Sequence, residues 1–146
     1  MSEAELQIMV ADYIRIKYPN VLFHSDFGSG IKLTPGQAIK QKRQNGGRRA
    51  WPDLFIAEPI RILNAPEGIL GVEKVAKYYC GLFLELKKDG TRLKKKDGKW
   101  ASDHIKEQNE MLERLTFRGY AANFAIGFDD AKNQIDNYLG GKNVSI

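Results

Sequence analysis

The alternation of apolar and polar positions predicts a strand over residues 81–88. Leucine occupies positions 82, 84 and 86, while Glu85 and Lys87 occupy the alternate positions. Because successive side chains of a strand point to opposite faces, Glu85 and Lys87 share one face. A shorter apolar run at residues 53–57 predicts a second strand, which begins with Asp53.

Apolar residues at helical spacing predict four helices, and two further apolar runs predict strands. The helices are predicted at residues 2–18, 34–44, 102–118 and 128–139, and the strands at residues 21–24 and 120–126. Proline and glycine interrupt every regular pattern in residues 58–79, where only residues 61–63 suggest the extension of a hairpin. From residue 140 onward the sequence predicts a loose tail. This order of elements predicts an α/β fold with a small mixed β-sheet flanked by helices.

The composition is that of a soluble globular chain with one core. The chain has 146 residues, of which 42% are hydrophobic and 28% charged, so we expect a single domain over residues 1–146. No apolar run approaches the roughly 20 residues of a membrane-spanning helix, and the N-terminus lacks a signal pattern, so we expect a cytoplasmic protein. Cys80 is the only cysteine, which excludes an intrachain disulfide, and we expect it to be buried beside a strand.

The basic residues are concentrated in two segments of this chain of net charge +5. Residues 28–51 contain no acid but six lysines and arginines, and residues 87–99 contain a lysine-rich run. Such segments suit a polyanion such as a nucleic-acid backbone, although each alone is equally typical of a solvated loop. The candidate DNA contacts are Arg48, Arg49, Lys88, Lys94, Lys95 and Lys96. Trp51 could pack against a base or sugar, but burial in the core is favoured by the habits of tryptophan.

Two carboxylates and a lysine at neighbouring strands are the candidate chemistry. Asp53, Glu85 and the carbonyl of Leu86 offer the oxygen ligands that Mg²⁺ and Mn²⁺ prefer. Lys87 could hold an attacking hydroxide or neutralise charge on a phosphoryl group. Gln108 interrupts the apolar stripe of a predicted helix, which indicates either an amide bonded to backbone or a site residue that faces the strands.

The motifs Pro52-Asp53 and Glu85-Leu86-Lys87 resemble those of the PD-(D/E)XK nuclease superfamily. Residues 2–139 as a whole resemble a stand-alone VRR-NUC domain of the phage and bacterial type. The segments that carry this resemblance are residues 2–7, 45–48, 51–54, 81–87, 107–108 and 119–120. The resemblance implies a restriction-endonuclease-like core. It also implies the host cytoplasm as location if the chain is phage-encoded.

The same resemblance implies a Mg²⁺- or Mn²⁺-dependent endonuclease that cuts structured DNA. Asp53, Glu85, Lys87 and Gln108 would be its catalytic residues. The metal would be held by Glu3, Asp53, Glu85 and Leu86, with Glu5 as the alternative to Glu3. Stand-alone members are similar to archaeal Holliday-junction resolvases, so we expect a homodimer that resolves four-way junctions. Two alternatives stay open, a nuclease for flaps, nicks or duplex DNA and a non-catalytic nucleic-acid-binding module.

Overall fold

Four helices and seven strands make up the described parts of the chain in this computed structural model, which are residues 1–26, 32–64, 74–140 and 143–145. The helices are α1 (Glu3–Lys17), α2 (Pro35–Gln44), α3 (Asp103–Phe117) and α4 (Gly127–Leu139). The strands are β1 (Phe23–Ser25), β2 (Leu54–Ile56), β3 (Ile60–Asn64), β4 (Lys74–Tyr79), β5 (Leu82–Lys87), β6 (Ala121–Ile126) and β7 (Asn143–Ser145).

A four-stranded mixed sheet with the strand order β1-β2-β5-β6 confirms the predicted α/β fold. The pairs β1–β2 and β2–β5 are antiparallel, whereas β5 and β6 are parallel. A parallel pair needs a crossover connection, and α3 provides it between these two strands. Strand β1 begins two residues later than predicted, because its pairing with β2 sets Phe23 opposite Ile56.

The two faces of the sheet are covered by different helices. The face that carries Leu82, Leu84 and Leu86 packs into the main core with the apolar sides of α1 and α4. Helix α3 lies against β5 and β6. In α1 the buried apolar residues follow the four-residue spacing of Leu6, Val10 and Ile14. Met9 and Ile16 lie outside this stripe and are exposed.

A cluster of polar side chains fastens α1 to α4. Oδ1 of Asp136 accepts hydrogen bonds from the hydroxyls of Tyr13 at 2.5 Å and Tyr18 at 2.7 Å, and from Nζ of Lys17 at 3.0 Å. Partial burial alone would raise the pKa of Asp136, but these three donors outweigh it and lower the pKa to about 2. The cluster therefore holds the helix that carries Glu3 and Gln7 in a fixed position on the core.

Strands β3, β4 and β7 form a second, antiparallel sheet, of which the sequence patterns indicated only the hairpin strand near residues 61–63 in β3. The order is β4-β3-β7, so the tail predicted to be loose contains a strand that pairs with β3. That prediction was wrong because the partner strand lies about eighty residues earlier and leaves no local pattern in the tail. The hydroxyl of Tyr138 donates to the carbonyl of Glu58 at 2.6 Å and so ties α4 to the start of this sheet.

Two further features concern the surface. Cys80 is exposed, contrary to expectation, because it lies between the ends of β4 and β5 and not within a strand. Among the described residues, no helix has both the length and the apolar character needed to cross a membrane.

Candidate active site

Strand β5 places Glu85 and Lys87 together on the face opposite its leucines. Both side chains are buried, with Glu85 only 3% and Lys87 6% exposed. Lys87 Nζ lies 3.8 Å from Oε1 of Glu85. Buried charges require compensation, and this ion pair supplies part of it.

Asp53 joins this pair because β5 is longer than its neighbour β2. The antiparallel ladder between the two strands ends at Leu54 and Leu84, so the N–H of Leu86 lies beyond Leu54, the first residue of β2. Oδ2 of Asp53 accepts a hydrogen bond from this N–H at 2.9 Å. The carbonyl of Asp53 accepts a second bond from the N–H of Asp26 at 2.8 Å, which fixes its backbone as well.

Gln108 reaches the same place from α3. Its Nε2 donates a hydrogen bond to Oε1 of Glu85 at 2.7 Å, and its side chain is 5% exposed. The sequence left two interpretations of Gln108 open, an amide bonded to backbone and a site residue that faces the strands. In the structure the amide faces the strands, as in the second interpretation. Ser102 caps the helix by accepting a hydrogen bond from the N–H of Ile105 at 3.2 Å, which holds the first turn of α3.

The negative charges of this cluster are not fully compensated by the described protein groups. Burial raises the pKa of Glu85, and the negative charge of Asp53 raises it further. Burial also raises the pKa of Asp53, although the hydrogen bond from Leu86 opposes this shift. Oε2 of Glu85 is buried and finds no donor among the described residues. Two buried carboxylates with one lysine and an unsatisfied oxygen fit an additional cation.

The donor set suits a hard divalent ion that keeps waters in its coordination shell. Within the described parts of the chain, no three His, Cys, Asp or Glu side chains are grouped closely enough to hold a metal ion by themselves. A protein contribution of two carboxylates with backbone oxygen and water is nevertheless common for Mg²⁺. The predicted ligands Asp53, Glu85 and Leu86 are adjacent, and Glu3 lies on the wall of the same groove.

The two acids in the first turn of α1 have different environments. Oε2 of Glu5 accepts from the N–H of Ser2 at 2.7 Å, while Ser2 Oγ accepts from the N–H of Glu5, which is a capping box. Backbone and side-chain hydrogen bonds from Ser2 lower the pKa of Glu5. Glu3, by contrast, lines the groove beside Asp53. The Ser-x-x-Glu spacing of Ser2 and Glu5 is a sequence signal that assigns Glu5 to the cap.

A groove of about 790 Å³ opens above these residues. One wall is formed by α2 and the loop that follows it, and this wall carries Lys42, Arg48 and Arg49. His104, which the sequence patterns did not single out, also lines the groove, one helical turn before Gln108 on α3. The groove therefore joins a basic wall to an acidic floor.

Four predicted DNA contacts lie elsewhere. Lys88, Lys94, Lys95 and Lys96 are exposed residues that do not line this groove. Lys94 and Trp100 bridge a turn, in which Nζ of Lys94 lies 4.7 Å from the centre of the Trp100 ring. The backbone N–H of Lys95 donates to the carbonyl of Lys99 at 2.8 Å. Their contact with DNA stays a prediction, and it requires a ligand that extends beyond the groove.

Gln7 is a second residue that the sequence patterns did not assign to the site. It is 9% exposed on the buried side of α1, and its Nε2 donates to the carbonyl of Asp26 at 2.7 Å. Since the N–H of Asp26 donates to Asp53, Gln7 positions the carboxylate strand through one intermediate residue. Its signal was the same as that of Gln108, a polar residue within the apolar stripe of a helix.

Comparison with known proteins was informative for solved structures. No family model matches the sequence, and no curated protein matches it. A solved structure named "VRR_NUC domain protein" matches with 26% sequence identity and a TM-score of 0.59, over 95% of this chain and 88% of that chain. The match agrees with the resemblance carried by the motif residues, which the fold brings together at one site. The chain therefore has an α/β restriction-endonuclease-like fold, and its similarity to this structure over nearly its whole length supports its identification as a VRR-NUC domain of a nuclease family.

Proposed function

We propose that the chain is a Mg²⁺- or Mn²⁺-dependent endonuclease that hydrolyses phosphodiester bonds in DNA. The observation that carries the proposal is the pair of buried carboxylates, Asp53 and Glu85, on the floor of a groove with a basic wall. A groove of this kind attracts a phosphate backbone and delivers it to the acids, whose own charge would repel phosphate unless a cation intervened.

The residues that would hold the metal are Asp53, Glu85 and Glu3, with the carbonyl of Leu86 as a further oxygen donor. When bound, such an ion polarises a phosphoryl oxygen and lowers the pKa of a coordinated water. Support comes from the unsatisfied Oε2 of Glu85 and from the raised pKa of both buried carboxylates, since a nearby cation would compensate them.

The remaining polar residues of the site would orient the reacting groups and the metal ligands. Lys87 Nζ, beside Glu85 and buried, would donate to the attacking water or to the phosphoryl oxygens on which negative charge develops. Gln108 holds Oε1 of Glu85 and leaves Oε2 without a donor among the described residues. The Leu86 N–H holds Asp53 in the same manner. Such positioning residues set the geometry of the ligands.

For the substrate, we propose branched DNA cut by a homodimer. One chain offers one such carboxylate pair at its groove, so paired incisions in the two strands of a four-way junction would need two copies of the chain. The resemblance to junction resolvases supports this finer proposal. Cleavage of flaps, nicks or plain duplex, or binding without cleavage, are the competing outcomes.

Labelled four-way junction, flap, nicked and duplex DNA, each incubated with Mg²⁺ or with EDTA, test the proposal. The wild type is expected to cut the junction only with Mg²⁺, and Asp53→Ala and Lys87→Ala to lose cleavage while retaining the fold. Matched controls are Glu110→Gln and Lys106→Ala, two exposed positions of α3 outside the groove. Wild-type rates in the two active-site variants would overturn the catalytic assignment. Junction binding without cleavage would establish the binding module, and sedimentation of the free protein would test the dimer.

A further inference from the structure

An aromatic cluster occupies the same face of the sheet as Glu85 and Lys87. Phe55 and Phe83 are paired in the β2–β5 ladder, and their rings stack at 4.4 Å between centroids with 19° between the planes. Tyr120 meets both rings edge-on, at 6.0 Å from Phe55 and 5.1 Å from Phe83. Phe55 and Phe83 are held by their strands, and Tyr120 immediately precedes β6, where its N–H donates to the carbonyl of Leu115 at 3.2 Å.

Trp51 is the outermost ring of this cluster and the one that reaches the groove. Its centroid lies 6.4 Å from that of Phe83, and its side chain is 38% exposed. The expectation that Trp51 is buried in the core was wrong. The residue lines the groove together with Asp53, two positions further on, and with Arg48 and Arg49.

The backbone around the cluster has two features that serve this placement. Ala50 has a φ of +64°, and it is the one non-glycine residue with a positive φ in the described part of the chain. Left-handed backbone is unfavourable for alanine, and such strain is typically found at functional sites. At Gly81, a Cβ atom would lie 2.7 Å from Cε2 of Phe55 and 2.8 Å from the carbonyl oxygen of Ile56, so only glycine leaves room for the stacked ring.

We propose that Trp51 is a stacking platform for one unpaired nucleobase next to the phosphate that is cut. This inference rests on the proposed nuclease function and names the substrate class more closely, as DNA in which a base beside the scissile phosphate is unstacked. Base pairs inside a duplex present no free π-face, whereas a single strand, a fork or an open junction arm does. Aromatic side chains bind such bases with little dependence on sequence.

The neighbouring charges fit the same ligand. Arg48 and Arg49 precede Trp51 and line the groove, so they can contact the phosphates on one side of a stacked nucleotide. Asp53 follows Trp51 in the chain, and with Glu85 it lines the same groove. A base held on Trp51 would therefore set the register of the backbone over the carboxylates.

Tryptophan fluorescence in EDTA tests stacking without any requirement for cleavage. The chain has two tryptophans, so Trp100→Phe leaves Trp51 as the only emitter. Single-stranded oligothymidylate and gapped duplex are expected to quench Trp51, and blunt duplex of the same length to leave it unquenched. Equal quenching by single-stranded and blunt duplex DNA would overturn the proposal.

Affinity measurements provide the second arm. Trp51→Ala is expected to weaken binding of single-stranded DNA by about 5- to 100-fold, with Trp51→Phe close to wild type and blunt-duplex binding unchanged. Unaltered single-strand affinity in folded Trp51→Ala contradicts the platform. If Trp51→Ala does not fold, an abasic site moved stepwise along a single strand tests the wild type, which should lose affinity at one position only. A uniform response to the abasic site would equally contradict it.

The two proposals fail in different ways. Quenching and base-dependent binding with no cleavage under Mg²⁺ would refute the nuclease and leave the platform. Cleavage of junctions at equal rates by the wild type and Trp51→Ala, together with base-independent binding, would refute the platform and leave the nuclease.

Discussion

Gln108 donates a 2.7 Å hydrogen bond to Oε1 of Glu85, although the two residues lie on different elements and 23 positions apart. The bond fixes one oxygen of a buried carboxylate and leaves the other, Oε2, without a donor among the described residues. An amide with a purely structural role would leave neither oxygen of the buried carboxylate without a hydrogen-bond donor. This amide instead orients a carboxylate whose second oxygen is available to a cation.

Replacement of Gln108 by leucine should raise the Mg²⁺ concentration needed for half-maximal cleavage by about 10- to 100-fold, as is typical when the partner of a metal ligand is removed. The physical reason is that Oε1 of Glu85 loses its donor and the carboxylate its fixed orientation. Metal titration of the cleavage rate measures the effect. The adjacent Asn109→Ala removes only an exposed bond to Glu113 and should titrate like the wild type. If Gln108→Leu needed the same Mg²⁺ concentration for half-maximal cleavage as the wild type, Gln108 would be a packing residue and not a positioning residue.

Replacement of Glu85 by glutamine should stabilise the metal-free protein at pH 8. Burial and the charge of Asp53 disfavour the ionised form of Glu85 in the fold, which is why its pKa is raised. At pH 8 the unfolded chain ionises Glu85, whereas the fold must keep a proton on this group or tolerate its charge, and this difference destabilises the wild type. A neutral amide of the same shape removes this cost and can accept from Gln108. Urea unfolding in EDTA should give a higher midpoint for Glu85→Gln, whereas Mg²⁺ should stabilise the wild type and not the variant. Glu110→Gln, at an exposed position, is the control and should change neither value. If Glu85→Gln were less stable than the wild type in EDTA, the conclusion that the fold disfavours the ionised form of Glu85 would be wrong.

The central part of the site could be predicted from sequence because its signals are local. Period-two alternation assigned Glu85 and Lys87 to one face, and a polar residue in an apolar stripe indicated Gln108. Glu3 and Glu5 are equally favourable in a first helical turn, so helix preference alone could not separate them. The capping box does separate them, since it engages Glu5.

The remaining features depend on relationships that no short segment contains. Strand β7 is defined by pairing with β3, whose sequence is remote. The exposure of Trp51 follows from a φ of +64° at Ala50 and from three rings, two on β2 and β5 and one immediately before β6, so the average burial of tryptophan gave the wrong expectation. Gln7 acts through the backbone of Asp26, which becomes its neighbour only in the fold.

Ala50→Gly should leave the free energy of unfolding unchanged or raise it by up to about 1 kcal/mol, because glycine adopts positive φ without the steric penalty of a Cβ atom. Ala50→Val should destabilise the protein, since branching worsens the same clash. Urea denaturation measures both changes. Ala38→Gly in the middle of α2 is the matched control and should destabilise by roughly 0.5–1 kcal/mol. A destabilising Ala50→Gly would mean that the loop does not keep this conformation in solution.

Replacement of both Arg48 and Arg49 by alanine should reduce the slope of log affinity against log salt by about 2, since each lost phosphate contact removes about one unit. Binding to a labelled junction in EDTA, at several salt concentrations, gives the slope. Triple replacement of Lys94, Lys95 and Lys96 should also weaken binding and flatten the slope, if DNA extends from the groove to that turn. Lys106→Ala should leave the slope unchanged. A wild-type slope in the arginine variant would remove this wall from the DNA interface.

Asp136→Asn should reduce the free energy of unfolding near pH 7 by about 1 kcal/mol, the usual size for a partly exposed charged hydrogen bond. The three donors lower the pKa of Asp136 in the fold to about 2, so the unfolded chain binds the proton more tightly than the folded one. The stabilisation is therefore fully present above the unfolded pKa near 4 and is lost as the pH falls towards 2. Urea unfolding of both proteins at pH 7, 4 and 2.5 should show a difference that shrinks at acid pH. Asp12→Asn, which removes an exposed pair with Arg15, should show little difference at any pH. A gap between wild type and Asp136→Asn that is constant from pH 7 to 2.5 would mean that the cluster acts by packing and not by charge.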